Sequence, residues 1–197
     1  MAVELGIIEG FYGKPWSWED RADTVNLLAP HGFGFYLYAP KADPYLRRRW
    51  QEPYPAHLAS ALRELAGVSR DAGVRFGVGL SPYELYLDFN DAARGALHDK
   101  LAFFRDVGVE DLAILFDDMR GDTPELAARQ LEIINWIVPR TAATRIIVCP
   151  SYYTDDPVLD RVFGARPDGY LEQLSAGRPV KPRRCRYCDI RCPSLTG

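Results

Sequence analysis

Histidine is scarce in this chain. His31, His57 and His98 are the only three in 197 residues, and no two are close in sequence. Catalytic zinc draws on clustered histidines and carboxylates, so no metal triad is expected and no cofactor is implied. No apolar run approaches the length of a membrane span, because glycine, proline or a charge interrupts every one. Basic residues do not exceed acidic ones: 24 Lys and Arg stand against 27 Asp and Glu. A polyanion-binding surface, and with it a nucleic-acid partner, is therefore not expected. The opening Met1-Ala-Val-Glu-Leu5 has no basic segment leading into an apolar one. It reads as having no signal peptide, and the chain as cytoplasmic.

The cysteines are too unevenly placed for a disulfide framework. Cys149 stands alone in an apolar run, while Cys185, Cys188 and Cys192 crowd the last few residues. Cys185-x-x-Cys188 with Cys192 has partial zinc spacing but no fourth ligand and no histidine nearby, so metal binding is not expected there either.

What is present is an alternation of strand and helix signals. Leu5-Gly-Ile-Ile-Glu9 reads as a buried strand. Ser17 followed by Asp20 is a capping-box pattern, and Ala22, Val25, Leu28 and Ala29 come next at helical spacing until Pro30 and Gly32. The unit then recurs: a strand over 34–38, a helix over 57–72 and a strand over 74–80. A helix over 91–107, a strand over 112–116, a helix over 125–138 and a strand over 145–149 complete the series. Gly73 and Gly108 close two of these helices, and Thr123-Pro124 reads as an N-cap with proline at the first helical position. Apolar strands separated by amphipathic helices imply a parallel α/β sheet.

Two architectures fit, a TIM barrel and a doubly wound sheet. Polar or special residues sit just past every strand: Glu9-Gly10, Lys41, Ser81, Asp117-Asp118 and Ser151-Tyr152-Tyr153. A barrel builds its active face from the ends of many strands. No Gly-x-Gly-x-x-Gly comes after the first strand, so a dinucleotide fold has no support. The expected fold is a TIM (β/α)8-type barrel of which about five βα units are legible, over residues 1–174.

After Leu174 the text changes. From Ser175 to Gly197 it is rich in Arg, Pro and Cys, with no apolar periodicity. One reading is a natural stop or linker. The other, which the missing strands favour, is a shifted reading frame or a truncation.

Asp117-Asp118 is the leading chemical motif. Paired carboxylates at a strand end divide acid and base roles when their environments split their pKa values. Neighbours on a regular strand point to opposite faces, so both reach one substrate only if the chain leaves the strand there. The plainer reading is a solvated loop pair. Lys41 offers donors to substrate hydroxyls, or else pairs with Asp43. Glu9-Gly-Phe-Tyr-Gly-Lys-Pro-Trp16 sets aromatics between glycines, which suits close approach to a sugar ring or a tight turn with Phe11 and Tyr12 packed inside. Tyr152 or Tyr153 offers a hydroxyl after the fifth strand.

Together these stretches resemble the catalytic domain of glycoside hydrolase family 84, which holds the O-GlcNAcases and bacterial β-N-acetylglucosaminidases, some of them labelled hyaluronidases. The resemblance rests on Gly6–Trp16, Tyr36-Leu-Tyr-Ala-Pro-Lys-Ala-Asp43, Arg49-Trp50 before Tyr54, Leu115-Phe-Asp-Asp118 and Cys149-Pro-Ser-Tyr-Tyr153. It covers residues 4–174.

The resemblance implies retaining, substrate-assisted hydrolysis of terminal N-acetylglucosamine, an exception to the usual two-carboxylate scheme. The sugar's own acetamido oxygen attacks and forms an oxazoline. Asp117 is implied to orient the acetamido N–H. Asp118 is implied to protonate the leaving oxygen and then activate water, which asks for a raised pKa at rest. Gly10, Lys41 and Tyr153 match positions that bind the sugar or its acetamido group. The implied partner is an N-acetylglucosamine-bearing glycoside or glycoprotein.

Two departures stand out. The family's Lys-Asp-Asp is Lys41-Ala42-Asp43 here, and its later Trp, two Asn and Asp find no match after Leu174. They leave two alternatives: an inactive sugar-binding fragment of such an enzyme, or a TIM-barrel enzyme of another class. A partial barrel is also expected to expose sheet edges and dissolve poorly.

Overall fold

The computed structural model describes residues 4–154 and 156–177. Cys185, Cys188 and Cys192, and all but the first three residues of the 175–197 stretch, lie outside the described residues.

Five strands alternate with helices: β1 (Leu5–Glu9), α1 (Trp18–Leu28), β2 (Phe33–Tyr38), α2 (Ala56–Asp71), β3 (Arg75–Leu80), α3 (Asp91–Val107), β4 (Asp111–Leu115), α4 (Leu126–Ile137) and β5 (Arg145–Cys149), then the short α5 (Val158–Phe163) and α6 (Tyr170–Ala176). The signals at the helix ends act as expected in α1 and α3. Ser17 accepts from the Asp20 N–H while the Asp20 carboxylate accepts from the Ser17 N–H. Gly108 ends α3 at φ 89°, a conformation that favours glycine.

Two local expectations are corrected. Thr123 and Pro124 do not open α4. The helix starts at Leu126, behind Glu125 at φ 58°. Gly121 N–H donates to Phe163 O and Thr123 N–H to Gly121 O, and these bonds hold the segment in a turn. Glu9, read as part of the polar mouth, points instead toward α1. It is buried, grips Arg21 through two bonds of 2.9 and 2.7 Å, and accepts from the Tyr36 hydroxyl at 2.5 Å.

All four pairings are parallel and the strand order is β1-β2-β3-β4-β5. Strict sequential order is the winding of a barrel; a doubly wound sheet reverses direction at a switch point. One face packs Tyr36, Phe76, Val78, Leu80, Leu112 and Ile114 into the core with the helices. The other face is concave and crowded. A Cβ at Gly77 would come within 2.5 Å of Leu37 and 2.9 Å of Asp111, so only glycine fits.

The curl is visible in one contact. Five flat strands would set β1 and β5 about 19 Å apart, yet Glu4, just before β1, meets Arg145 of β5 at 2.7 Å. Arg75 and the fully buried Asp111 complete this cluster, with Arg75 reaching Glu4 at 2.6 Å and Arg145 reaching Asp111 at 2.6 Å. The structure is thus a half-barrel. Leu5 and Ile8 on its β1 edge are exposed. Among the described residues no helix is long and apolar enough to cross a membrane.

Candidate active site

The site forms where β4 ends. Phe116 is the last anchored residue: its N–H donates to Cys149 O at 2.9 Å, and its carbonyl accepts from the Ser151 hydroxyl at 2.8 Å. Ser151 is itself fixed. Gln130 of α4 donates to its oxygen at 2.8 Å, the Ser151 N–H donates to the Tyr170 hydroxyl at 3.0 Å, and that hydroxyl donates to Gln130 at 2.5 Å. Every member of this buried network has a partner, which makes it a rigid base for the turn at Asp117 and Asp118.

Beyond Phe116 the chain leaves the strand. Asp118 has φ 56°, in the left-handed region that Asp tolerates better than most residues. The turn is what brings two adjacent carboxylates to one place. Lys41 Nζ lies 2.6 Å from Asp117 Oδ2 and 2.7 Å from Asp118 Oδ2. It does not pair with Asp43, whose buried carboxylate accepts from the Tyr38 and Tyr54 hydroxyls at 2.8 and 3.0 Å.

The electrostatics are set by this bridge. Burial works against the Lys41 ammonium, but the two carboxylates outweigh it and hold its pKa above the usual value. Burial pushes the Asp118 carboxyl up, yet hydrogen bonds from Lys41 and Tyr12, with the charges of Lys41 and Arg47, carry it below its ordinary value. The raised resting pKa expected for an acid is therefore not found. With Lys41 docked, Asp118 is a carboxylate. Asp117 Oδ1 is buried without a hydrogen-bond donor among the described residues. Such an oxygen is costly until a donor reaches it.

Tyr153 is 38% exposed at the end of β5. Burial, then the negative charges of Asp118 and Asp117, raises its phenol pKa, so it shares their surroundings. Gly10 closes β1, and a Cβ there would meet only Ile8 at 3.5 Å, leaving open space above the backbone. In the chain, Gly10 lies two residues before Tyr12. Among the described residues no group of three His, Cys, Asp or Glu is placed to hold a metal ion.

Two site residues escape the sequence reading. Tyr12 is not packed inside. It is 66% exposed and donates its hydroxyl to Asp118 Oδ2 at 2.7 Å. Arg47 donates to the Tyr12 oxygen at 3.1 Å and to the Asp118 carbonyl at 3.0 Å. Nothing in Arg47-Arg-Arg49 marks the first arginine out from the other two.

The model of the beta-N-acetylglucosaminidase family matches residues 5–177. The chain belongs to that family. Rat and mouse Protein O-GlcNAcase are each 34% identical to it over 114 residues, which is 58% of this chain but only 12% of theirs. Among solved structures, a mutant O-GlcNAc hydrolase from Thermobaculum terrenum superposes with a TM-score of 0.77 at 29% identity, covering 93% of this chain and 40% of that one. The chain thus spans about an eighth of the length of the curated relatives and 40% of that solved chain.

Proposed function

We propose that residues 1–174 are part of a glycosidase barrel, with 175–197 outside it, and that its site releases terminal N-acetylglucosamine from a glycoside or glycoprotein with retention. The observation that carries this reading is Lys41 bridging adjacent Asp117 and Asp118 past the end of β4. Membership of the β-N-acetylglucosaminidase family and the likeness to an O-GlcNAc hydrolase support it.

In this reading the reaction is substrate-assisted. The acetamido oxygen attacks C1 as the bond from C1 to the leaving oxygen breaks, and Asp118 gives that oxygen its proton. Asp117 accepts from the acetamido N–H and offsets the positive charge that develops on that group as the oxazoline ring closes. An amide N–H is the kind of donor that the buried Asp117 Oδ1 lacks. In the second step Asp118 takes a proton from water as its oxygen adds to C1, the oxazoline C1–O bond breaks, and the acetamido group of the β-sugar is restored. Gly10 lets the sugar approach the backbone, while Lys41 and Tyr153 donate to it. Because Lys41 holds Asp118 ionised, the sugar must draw Lys41 away before Asp118 can carry a proton. Transfer of the Lys41 donors to a sugar hydroxyl does both.

The test is hydrolysis of an aryl β-N-acetylglucosaminide by this chain, with the product monitored by proton NMR. Initial formation of the β-anomer is expected. Initial formation of the α-anomer would overturn the reading. A second reading, sugar binding without turnover, is favoured by the 40% coverage of the Thermobaculum chain. It predicts that an oxazoline-like inhibitor binds although no glycoside is cleaved.

A further inference from the structure

We propose that Arg47 is a positioning residue for the Asp118 side chain, acting at once through the Tyr12 hydroxyl and the Asp118 main-chain carbonyl. The proposal rests on the assignment of Asp118 as the acid and base of the glycosidase reaction.

The geometry is a fork. One terminal nitrogen of Arg47 donates to Tyr12, whose hydroxyl donates on to Asp118 Oδ2, and the other donates to the Asp118 carbonyl. The guanidinium therefore reaches both ends of the same residue, its carbonyl directly and its carboxylate through Tyr12. The main-chain contact holds a backbone with φ 56°, a sparsely populated conformation that needs outside support. The contact through Tyr12 fixes where the carboxylate oxygen sits. A reacting group must be held within a fraction of an ångström, so such a support acts on rate without touching substrate.

Arg47 is in turn held by buried polar tethers. The 3-10 turn Pro44–Leu46 delivers it, and its N–H donates to Pro44 O at 3.1 Å. Asp43 caps that turn through the Tyr45 N–H at 2.8 Å, and Ser81 N–H donates to Leu46 O at 2.8 Å. Buried Lys100 donates to Tyr45 O at 3.2 Å and to Glu52 O at 2.7 Å. The next two arginines turn elsewhere, Arg48 onto the Tyr83 ring and Arg49 to Glu52. Only the first reaches the acid. Arg47 uses two terminal nitrogens of one planar fork for the two acceptors, a geometry that a lysine ammonium does not reproduce.

The test uses the full chain with Arg47→Lys, Arg47→Met and Tyr12→Phe. The deciding readout is the Asp118 titration, monitored by carboxyl 13C NMR. Around Asp118 stand Lys41, Tyr12, Arg47, Asp117 and Tyr153. The midpoint is expected to rise in Arg47→Met and Tyr12→Phe, and less in Arg47→Lys, which keeps the charge. An unmoved midpoint in a folded Arg47 variant overturns the proposal; if Arg47→Met does not fold, Arg47→Lys decides. In turnover, Arg47→Lys should lose about tenfold more on an alkyl-type leaving group than on an activated aryl one. An equal loss on both overturns the proposal as well. A wild-type chain that cleaves nothing counts against the glycosidase reading alone, since the midpoint still judges the clamp.

Discussion

Lys100 carries its ammonium over the ring of Tyr54, 4.7 Å from the centroid, with backbone carbonyls as its hydrogen-bond acceptors. Its side chain comes from α3 and ties down the loop that presents Arg47. Burial lowers its pKa from 10.5 to about 8, against the opposing pull of Asp43 and Glu52.

That lysine sets a pH dependence of stability. The folded state releases the Lys100 proton near pH 8, while the unfolded chain keeps it to about 10.5. Between those values the unfolded state binds more protons, so stability rises with pH. The rise should be on the order of 3 kcal/mol at most. Above pH 10 it reverses, because burial beside Glu9 and Asp43 holds the Tyr36, Tyr38 and Tyr54 phenols protonated well above the usual range. Urea unfolding across pH 7–10 should show the rise in the wild type and lose it in Lys100→Met.

The ion cluster inside the half-barrel should divide unequally. Asp111 is fully buried between Arg75 and Arg145, so Asp111→Ala leaves a poorly solvated positive charge. It should cost about 3–5 kcal/mol in urea unfolding. Glu4 is exposed over 41% of its side chain, and Glu4→Gln should cost less than about 1 kcal/mol. Similar costs for the two would show that burial does not govern the cluster.

Tyr170→Phe removes one oxygen and strips both the Ser151 N–H and Gln130 Oε1 of a partner. A loss of about 1–3 kcal/mol is expected. Because Ser151 also holds the Phe116 carbonyl, ligand affinity should fall along with stability, and calorimetry with an oxazoline-like inhibitor measures this.

The two aspartates should separate by leaving group. Asp118→Asn should lose about 10²–10⁴ in turnover of poor leaving groups and far less on activated ones. Asp117→Asn should slow both alike, since cyclisation accompanies either departure. A steady-state series of aryl glycosides checks both, and equal losses in Asp118→Asn would contradict the general-acid role.

Much of the fold is legible in the sequence because its signals are local. The capping box at Ser17, the glycine at 108 and the apolar runs of all five strands act within a few residues of themselves. The start of α4 is not legible because Gly121 is pinned to Phe163, a bond no local pattern reveals. The orientation of Glu9 is hidden for a similar reason. A carboxylate at a strand end looks like part of a polar mouth until Arg21 and Tyr36 claim it from the helix side.

Sequence alone determined the parallel α/β alternation, the family, and the identity of Lys41, Asp117, Asp118, Gly10 and Tyr153 as candidates. The alternation rests on periodicity, while the family and the candidate residues rest on the resemblance of the strand-end motifs to glycoside hydrolase family 84. Tertiary structure decided that one lysine bridges both carboxylates, that Asp118 leaves the strand at a positive φ with its pKa lowered rather than raised, and that Tyr12 and Arg47 brace it. Those facts depend on contacts between residues 35 to 106 positions apart, and only the curl of the sheet brings such residues within hydrogen-bonding range.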